Sequence, residues 1–141
     1  MDSSEPSSNN ISALNLHRLA SLLEDNSYAS LARETVLAFE AEVEQWPFTF
    51  GGMLGSVVLG RLGVQGVVIT GTGEDGRDQK VLSKMRAELA PGRTVLRLKG
   101  REGWLKGRNK LLGDMKIGGE TKVMVCEKGA CRDGKEFLEG F

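Results

Sequence analysis

The feature that most constrains this chain is a change of hydrophobic pattern at Gly63. Before it, apolar residues recur every three or four positions, the spacing that buries one side of an α-helix. After it, short β-branched runs alternate with amphipathic and glycine-rich segments, which indicates strands separated by helices. The sequence therefore predicts an α+β fold in two parts, a helical segment over residues 1–63 and a small α/β module over residues 64–141.

Three helices are expected in the first part. The first follows Ser8, Asn9 and Asn10, all of which are suitable N-caps, and ends before the polar residues 25–27. The second covers residues 28–46 and is ended by a proline, and the third covers residues 53–62 and is closed by a glycine. A short polar turn between the first two predicts an antiparallel helical hairpin.

The apolar stripes of these helices have too few partners within the segment. The stripe expected to be buried on the first helix contains Ile11, Leu14, Leu19, Leu22 and Leu23, and that on the second contains Leu31, Thr35, Phe39, Val43 and Trp46. Two or three amphipathic helices bury too little apolar surface to be stable alone. We therefore expect the chain to be the C-terminal piece of a larger protein, or to self-associate through its helical half.

In the second part, strands are expected over residues 64–70, 94–98 and 121–126. Helices are expected over residues 78–89 and 104–112, with a last helical turn or two over residues 135–141. Alternating strands and helices indicate right-handed crossover connections. The sequence thus predicts a three-stranded, mainly parallel sheet with flanking helices.

Residues 71–76 match the G-x-G-x-x-G pattern of dinucleotide-binding loops, after a strand and before a helix. Glu74, Asp75 and Asp78 place three carboxylates where a pyrophosphate would lie. We therefore expect no dinucleotide cofactor, and the alternative is a phosphorylated dinucleotide, whose 2′-phosphate the basic Lys99 after the second strand could suit. The single histidine, His17, has no catalytic or metal-binding companion in the pattern and is expected at the surface.

Cys126 and Cys131 are separated by four residues at the end of the last predicted strand. Gly129 lies between them and takes positive φ readily, so a turn there would return the chain and bring the two sulfurs close. A disulfide, a redox pair and two reduced thiols all fit this spacing. Without histidine ligands nearby, a zinc site is not supported. The two cysteines are the candidate redox thiols, and we expect them to be close enough to pair yet mostly reduced in the cell.

Charge and hydropathy favour a soluble cytoplasmic protein. Nineteen basic residues balance nineteen acidic ones, which gives no electrostatic reason to expect a nucleic-acid partner. The apolar run at residues 53–62 is too short to span a bilayer, and the first ten residues lack the apolar core of a secretory leader. Neither a membrane partner nor a metal is expected.

Several segments are similar to one known family. Residues 5–10 read E-P-S-S-N-N and residues 12–19 read S-A-L-N-L-H-R-L. Further matching segments are P-F at residues 47–48, V-V-I at 67–69, P-G-R-T-V-L at 91–96, and V-C-E at 125–127 followed by Cys131. In this order the segments resemble the spermatogenesis-associated protein 20-like family, which includes bacterial YyaL-type proteins and typically reads E-P-S-G-N-S before an A-x-N-L-x-R-L helix.

The resemblance implies a larger architecture. Such proteins carry a thioredoxin-like domain, then an α/α toroid similar to six-hairpin glycosidases and sugar epimerases, then a C-terminal α/β tail. This chain would hold the last toroid helices and the tail, and the missing thioredoxin-like and toroid portions would be its partners. It departs from the family pattern at Ser8, where glycine is usual, and at Met124, where an aromatic residue often stands.

Three functions are compatible with this resemblance. The first expectation is a non-catalytic structural module that closes the toroid, because a shared fold alone does not transfer a reaction. The second is an accessory thiol pair, Cys126 and Cys131, of a redox protein. The third is the rim of a carbohydrate-active toroid, an epimerase or a hydrolase, in which Glu5 and Asn9 line the pocket.

Overall fold

The computed structural model describes residues 5–99 and 104–139. It contains both helices and a sheet, so the expected α+β composition is confirmed. The chain divides into two compact units, Met1–Val64 and Gln65–Phe141, next to the glycine at which the sequence pattern changes. That glycine, Gly63, caps the last helix of the first unit with a φ of 86°.

All the regular elements described in the first unit are helices. These are α1 (Ser8–Leu23), α2 (Asn26–Leu37), α3 (Glu40–Gln45), a 3₁₀-helix (Pro47–Phe50) and α4 (Gly51–Leu62). α1 packs against both α2 and α4, and α2 also contacts α4. The expected single second helix is split, because Phe39 leaves the helical region with φ −121° and ψ 16°.

The caps show how the hairpin is delimited. None of the three expected N-caps is used; the cap of α1 is Ser7, whose hydroxyl accepts a hydrogen bond from the Asn10 N–H at 3.3 Å. α1 ends at Glu24 in the left-handed region, and the Asp25 carboxylate accepts from the Ser27 N–H at 2.9 Å to begin α2. The polar turn expected between the two helices is present, and it consists of the residue that ends α1, Glu24, and the residue that caps α2, Asp25.

The faces that the helices bury differ from the expected leucine stripes. α1 buries Asn10, Ala13 and His17, and α2 buries Ala32. Of the expected stripe residues, Ile11, Leu19, Leu31 and Trp46 are exposed, and Leu14, Leu22, Leu23, Thr35, Phe39 and Val43 are only half-buried. The fully buried apolar side chains of α1 and α2 are the small ones, Ala13 and Ala32, and the larger apolar side chains of these two helices are exposed or half-buried.

The second unit is built on a four-stranded sheet. Its elements are β1 (Gln65–Thr70), α5 (Arg77–Ala87), β2 (Arg93–Leu98), α6 (Lys110–Asp114), β3 (Lys122–Glu127), β4 (Ala130–Asp133) and a 3₁₀-helix (Lys135–Phe137). The strand order is β2-β1-β3-β4. β1 pairs in parallel with β2, whereas the β1–β3 and β3–β4 pairs are antiparallel.

The expected three-stranded, mainly parallel sheet is therefore wrong in strand number and in direction. The first crossover, β1–α5–β2, is as predicted, and residues 71–76 lead from strand to helix. A second parallel crossover usually contains a helix that returns the chain to the start of the sheet. Between β2 and β3 the described residues form only the five-residue helix α6, and β3 runs antiparallel to β1.

The core of this unit lies between α5 and one face of the sheet. It consists of Val67, Ile69, Val81, Met85 and Val123. The chain after β4 covers this core with Phe137 and Leu138, and it reaches the core by crossing the sheet at Gly134. The Gly134 N–H donates to the Val123 carbonyl at 2.8 Å, and a Cβ on Gly134 would lie 3.1 Å from methyl groups of Val123 and Val125.

We predict that Gly134→Ala lowers the free energy of unfolding by about 1–3 kcal/mol, because the added methyl group overpacks the two buried valines. Urea denaturation followed by circular dichroism measures the change. Gly118→Ala is the matched control, since a Cβ at Gly118 meets nothing within 4 Å. Equal midpoints for the two variants would contradict the close packing at Gly134.

Candidate functional site

The two cysteines lie on the hairpin formed by β3 and β4. Its two central turn residues, Lys128 and Gly129, have φ of 50° and 80°. Positive φ at both positions is the type I′ geometry that suits the twist of a two-residue hairpin. Gly129 takes the conformation predicted from the sequence, whereas a lysine with positive φ is uncommon and was not expected.

The hairpin register places the cysteines directly opposite each other. Glu127 pairs with Ala130 next to the turn, and Cys126 pairs with Cys131 one step further along. After a two-residue turn this second pair is not hydrogen-bonded, which brings its Cα atoms closest together. The two cysteines form a disulfide with Cα atoms 4.0 Å apart. The prediction that they lie close enough to pair is confirmed, while their redox state in the cell stays a prediction.

The bridge closes a very short loop, so its effect on stability is limited. Chain entropy gives a contribution of about 2 kcal/mol for a closed loop of this size. The turn and the β3–β4 ladder already hold the same residues together. The disulfide is thus an addition to a hairpin that the backbone specifies independently.

The two sides of the bridge differ in their surroundings. On the inner side, Cys126 lies opposite Gly66 of β1, and Gly66 is buried. On the outer side, Cys131 belongs to the edge strand β4, whose other residues are all exposed. The two cysteines are both half-buried, so the sides of the bridge differ in their neighbours, an inner strand beyond Cys126 and the edge of the sheet beyond Cys131.

The glycine-rich loop, residues 71–76, uses Asp75 to attach itself to β3. Thr121, just before that strand, donates to the Asp75 carboxylate from its hydroxyl at 2.7 Å and from its N–H at 3.1 Å. These hydrogen bonds, together with the Arg77 N–H and its charge, lower the pKa of Asp75 below its ordinary value. This carboxylate is consequently engaged within the protein.

Asp78 occupies the position at the start of α5 where an anion would bind. Its side chain is 3% exposed, forms an ion pair with the Arg97 guanidinium, and accepts a hydrogen bond from the Gln79 N–H at 2.7 Å. A Cβ at Gly73 would lie within 3.2 Å of Arg97 Nη2 and Lys99 Nζ, so both cations converge on this loop.

These contacts change the argument about a cofactor. Two of the three carboxylates that were expected to repel a pyrophosphate are held by the chain's own residues, Asp75 by Thr121 and Asp78 by Arg97. The absence of a dinucleotide remains a prediction, and its physical reason is now that an internal carboxylate fills the anion position.

In the helical unit, the two residues proposed for a pocket rim lie at the surface. Glu5 and Asn9 are both exposed, whereas Asn10 and His17 are buried. The expectation of a surface histidine is wrong. Asn10, Ala13 and His17 share one face of α1 through their spacing of three and four residues, a signal that a search for leucine stripes overlooks.

The buried His17 packs against α4. Its ring lies 3.4 Å from where a Cβ on Gly60 would be, and Ser56, also buried, has a hydroxyl with no hydrogen-bond partner. Burial lowers the pKa of His17, a hydrogen bond to the Ser56 backbone opposes this, and the charge of Arg33 adds to it. The neutral imidazole therefore serves the contact between helices.

Wider comparisons add no functional assignment. Within residues 5–99 and 104–139, no three or more histidine, cysteine or acidic side chains cluster as a metal site would require. None of the helices described is long and apolar enough to cross a membrane. The chain matches no family model, no curated protein and no solved structure.

We predict that Asp78→Asn lowers the free energy of unfolding by about 2–4 kcal/mol. Breaking a buried ion pair leaves Arg97 without its counter-charge. The expected loss of stability is smaller than for a fully buried pair, because the Arg97 side chain is 24% exposed and water screens its charge. Urea denaturation provides the measurement. Glu74→Gln, an exposed acid-to-amide change in the loop just before α5, should stay within about 0.5 kcal/mol of the parent chain. A similar small effect of Asp78→Asn would contradict the importance of the ion pair.

Proposed function

We propose that the chain is a non-catalytic C-terminal structural module of a spermatogenesis-associated protein 20-like protein. In this proposal the helical unit forms the last helices of an α/α toroid, and the α/β unit is the tail that follows it. The preceding toroid helices are the partner that covers the helical unit. The observation that carries the proposal is the large apolar surface that this unit exposes.

The exposed apolar side chains are unevenly distributed. Of the twelve large hydrophobic residues exposed within the described chain, nine lie in the helical unit: Ile11, Leu19, Leu31, Leu37, Trp46, Phe48, Leu54, Val58 and Leu62. The other three, Leu89, Val95 and Trp104, lie in the α/β unit. A concentration of exposed apolar side chains in one unit is expected where another part of a protein covers that unit.

One helix presents part of this surface as a continuous stripe. Leu54, Val58 and Leu62 follow one another at intervals of four residues along α4 and are 39%, 50% and 74% exposed. Their spacing places them on one side of the helix, opposite the buried Met53, Ser56 and Leu59. Covering side chains of this size contributes on the order of 1 kcal/mol each. The stripe fits the packing of successive helices in a toroid.

A second candidate function has its own observation. Cys126 and Cys131 form a disulfide on an exposed hairpin, which supports an accessory thiol pair in a redox protein. A carbohydrate-active rim has weaker support, because Glu5 and Asn9 are both exposed.

We predict that the 141-residue chain self-associates when no toroid portion is present, because a second copy then provides the only cover for the helical stripe. Sedimentation velocity over a hundredfold concentration range measures the association. Leu62→Glu should shift the chain to monomer by placing a charge within the stripe. Leu89→Glu, the same change at a fully exposed position of the α/β unit, should leave association unaltered.

Two results would count against the structural-module proposal. One is a monomer at every concentration that also unfolds sharply at high temperature, which would show that the helical unit needs no cover. The other is equal suppression by both substitutions, which would mean that association depends on general charge and not on the α4 stripe.

A further inference from the structure

We propose that the Cys126–Cys131 disulfide is a directional thiol-exchange site, in which an incoming thiolate attacks Sγ of Cys131 and Cys126 is the leaving thiolate. The substrate class is a low-molecular-weight thiol or a protein dithiol. This inference rests on the second candidate function, the accessory thiol pair, and adds to it the identity of the attacked sulfur.

The direction follows from the line of attack. In thiol–disulfide exchange the attacking, central and leaving sulfurs lie close to one line, so the nucleophile approaches along the extension of the S–S bond. This bond joins β3 to β4. Cys131 lies on the edge strand β4, whereas Cys126 lies on β3, which has β1 on its other side. A nucleophile can therefore reach Cys131 from beyond the edge of the sheet, while the sheet continues on the far side of Cys126.

Both cysteines are half-buried, but they differ in their position in the sheet. β4 is an edge strand, and Ala130, Arg132 and Asp133 around Cys131 are all exposed. On the other side, Gly66 faces Cys126 in the register and is buried, and every later residue of β1 is buried too. Access to a disulfide sulfur is one of the factors that set the exchange rate. Attack on Cys131 is therefore favoured by the sheet itself.

The hairpin also tolerates the exchange. Its turn has the backbone geometry of a two-residue hairpin, and β3 is held by its separate ladder to β1. Opening the bridge thus leaves the strand that carries the leaving thiolate in place. The resolving Cys126 remains opposite Cys131 and can close the bridge again.

The chemistry balances without a metal or cofactor. A thiolate of the substrate forms a bond to Cys131 Sγ while the S–S bond breaks, and its electron pair stays on Cys126, which takes up a proton from water. With a dithiol, the second thiol of the substrate then attacks the substrate sulfur of the mixed disulfide. This forms a disulfide within the substrate and releases Cys131 as a thiolate. The dithiol is oxidised by two electrons to a disulfide, and the protein is reduced to two thiols.

Trypsin makes the two outcomes easy to separate, because Lys122, Lys128 and Arg132 place the cysteines in different peptides, residues 123–128 and 129–132. The oxidised chain is mixed with limiting glutathione, quenched with acid within seconds, alkylated with N-ethylmaleimide and digested. We expect glutathione on residues 129–132 and maleimide on residues 123–128 in at least about tenfold excess over the reverse pattern.

As a second measurement, iodoacetamide should label Cys131 in Cys126→Ser faster than Cys126 in Cys131→Ser.

The alternative results separate this inference from the function on which it rests. Glutathione found equally on both peptides, or mainly on residues 123–128, would overturn the direction of attack and leave the exchanging thiol pair in place. No mixed disulfide on either peptide, although dithiothreitol reduces the denatured chain, would overturn both. Complete alkylation of both thiols before any reductant is added would do the same, because no bridge would then exist to exchange.

Discussion

The pairing of β1 with both of its neighbours is the constraint on which the α/β unit depends. β1 lies between β2 and β3, and every residue of it after Gln65 is buried. Its parallel register with β2 sets Arg97 beside Ile69, from where the guanidinium reaches Asp78 at the start of α5. A shift of one residue would turn Val67 and Ile69 away from the core that they form with α5, so this packing fixes the register strongly.

The same strand determines where the cysteines lie. Its antiparallel register with β3 places Cys126 beside Gly66, and the two-residue turn then places Cys131 beside Cys126. Backbone pairing and turn geometry thus bring the sulfurs together before any covalent bond is considered. A bridge that is not needed to form the hairpin is free to open and close, which links the architecture of the sheet to the proposed exchange. The helical unit, by contrast, exposes the apolar surface from which a structural role is proposed.

Local signals predicted the parts of this fold that depend on neighbouring residues. The β-branched run of β1, the crossover through α5 and the turn at Gly129 all follow from short segments of sequence. The direction of β3 depends on the connection before it, where a helix was expected over residues 104–112 and the described residues contain only the five-residue α6, Lys110–Asp114. The buried His17 and the Asp78–Arg97 pair were missed because each depends on a partner in another element. No local pattern distinguishes a paired carboxylate from one that repels a ligand.

The most direct test concerns the claim that the sheet, and not the disulfide, aligns the hairpin. The measurement is a nuclear Overhauser effect between the Hα protons of residues 126 and 131 in the double variant Cys126→Ser, Cys131→Ser. Opposed residues of a non-hydrogen-bonded antiparallel pair bring these protons into close contact. The account predicts a strong cross-strand signal and slow amide exchange in β3. Loss of that signal, with fast amide exchange throughout β3 and β4, would show that the bridge creates the alignment and would contradict the account.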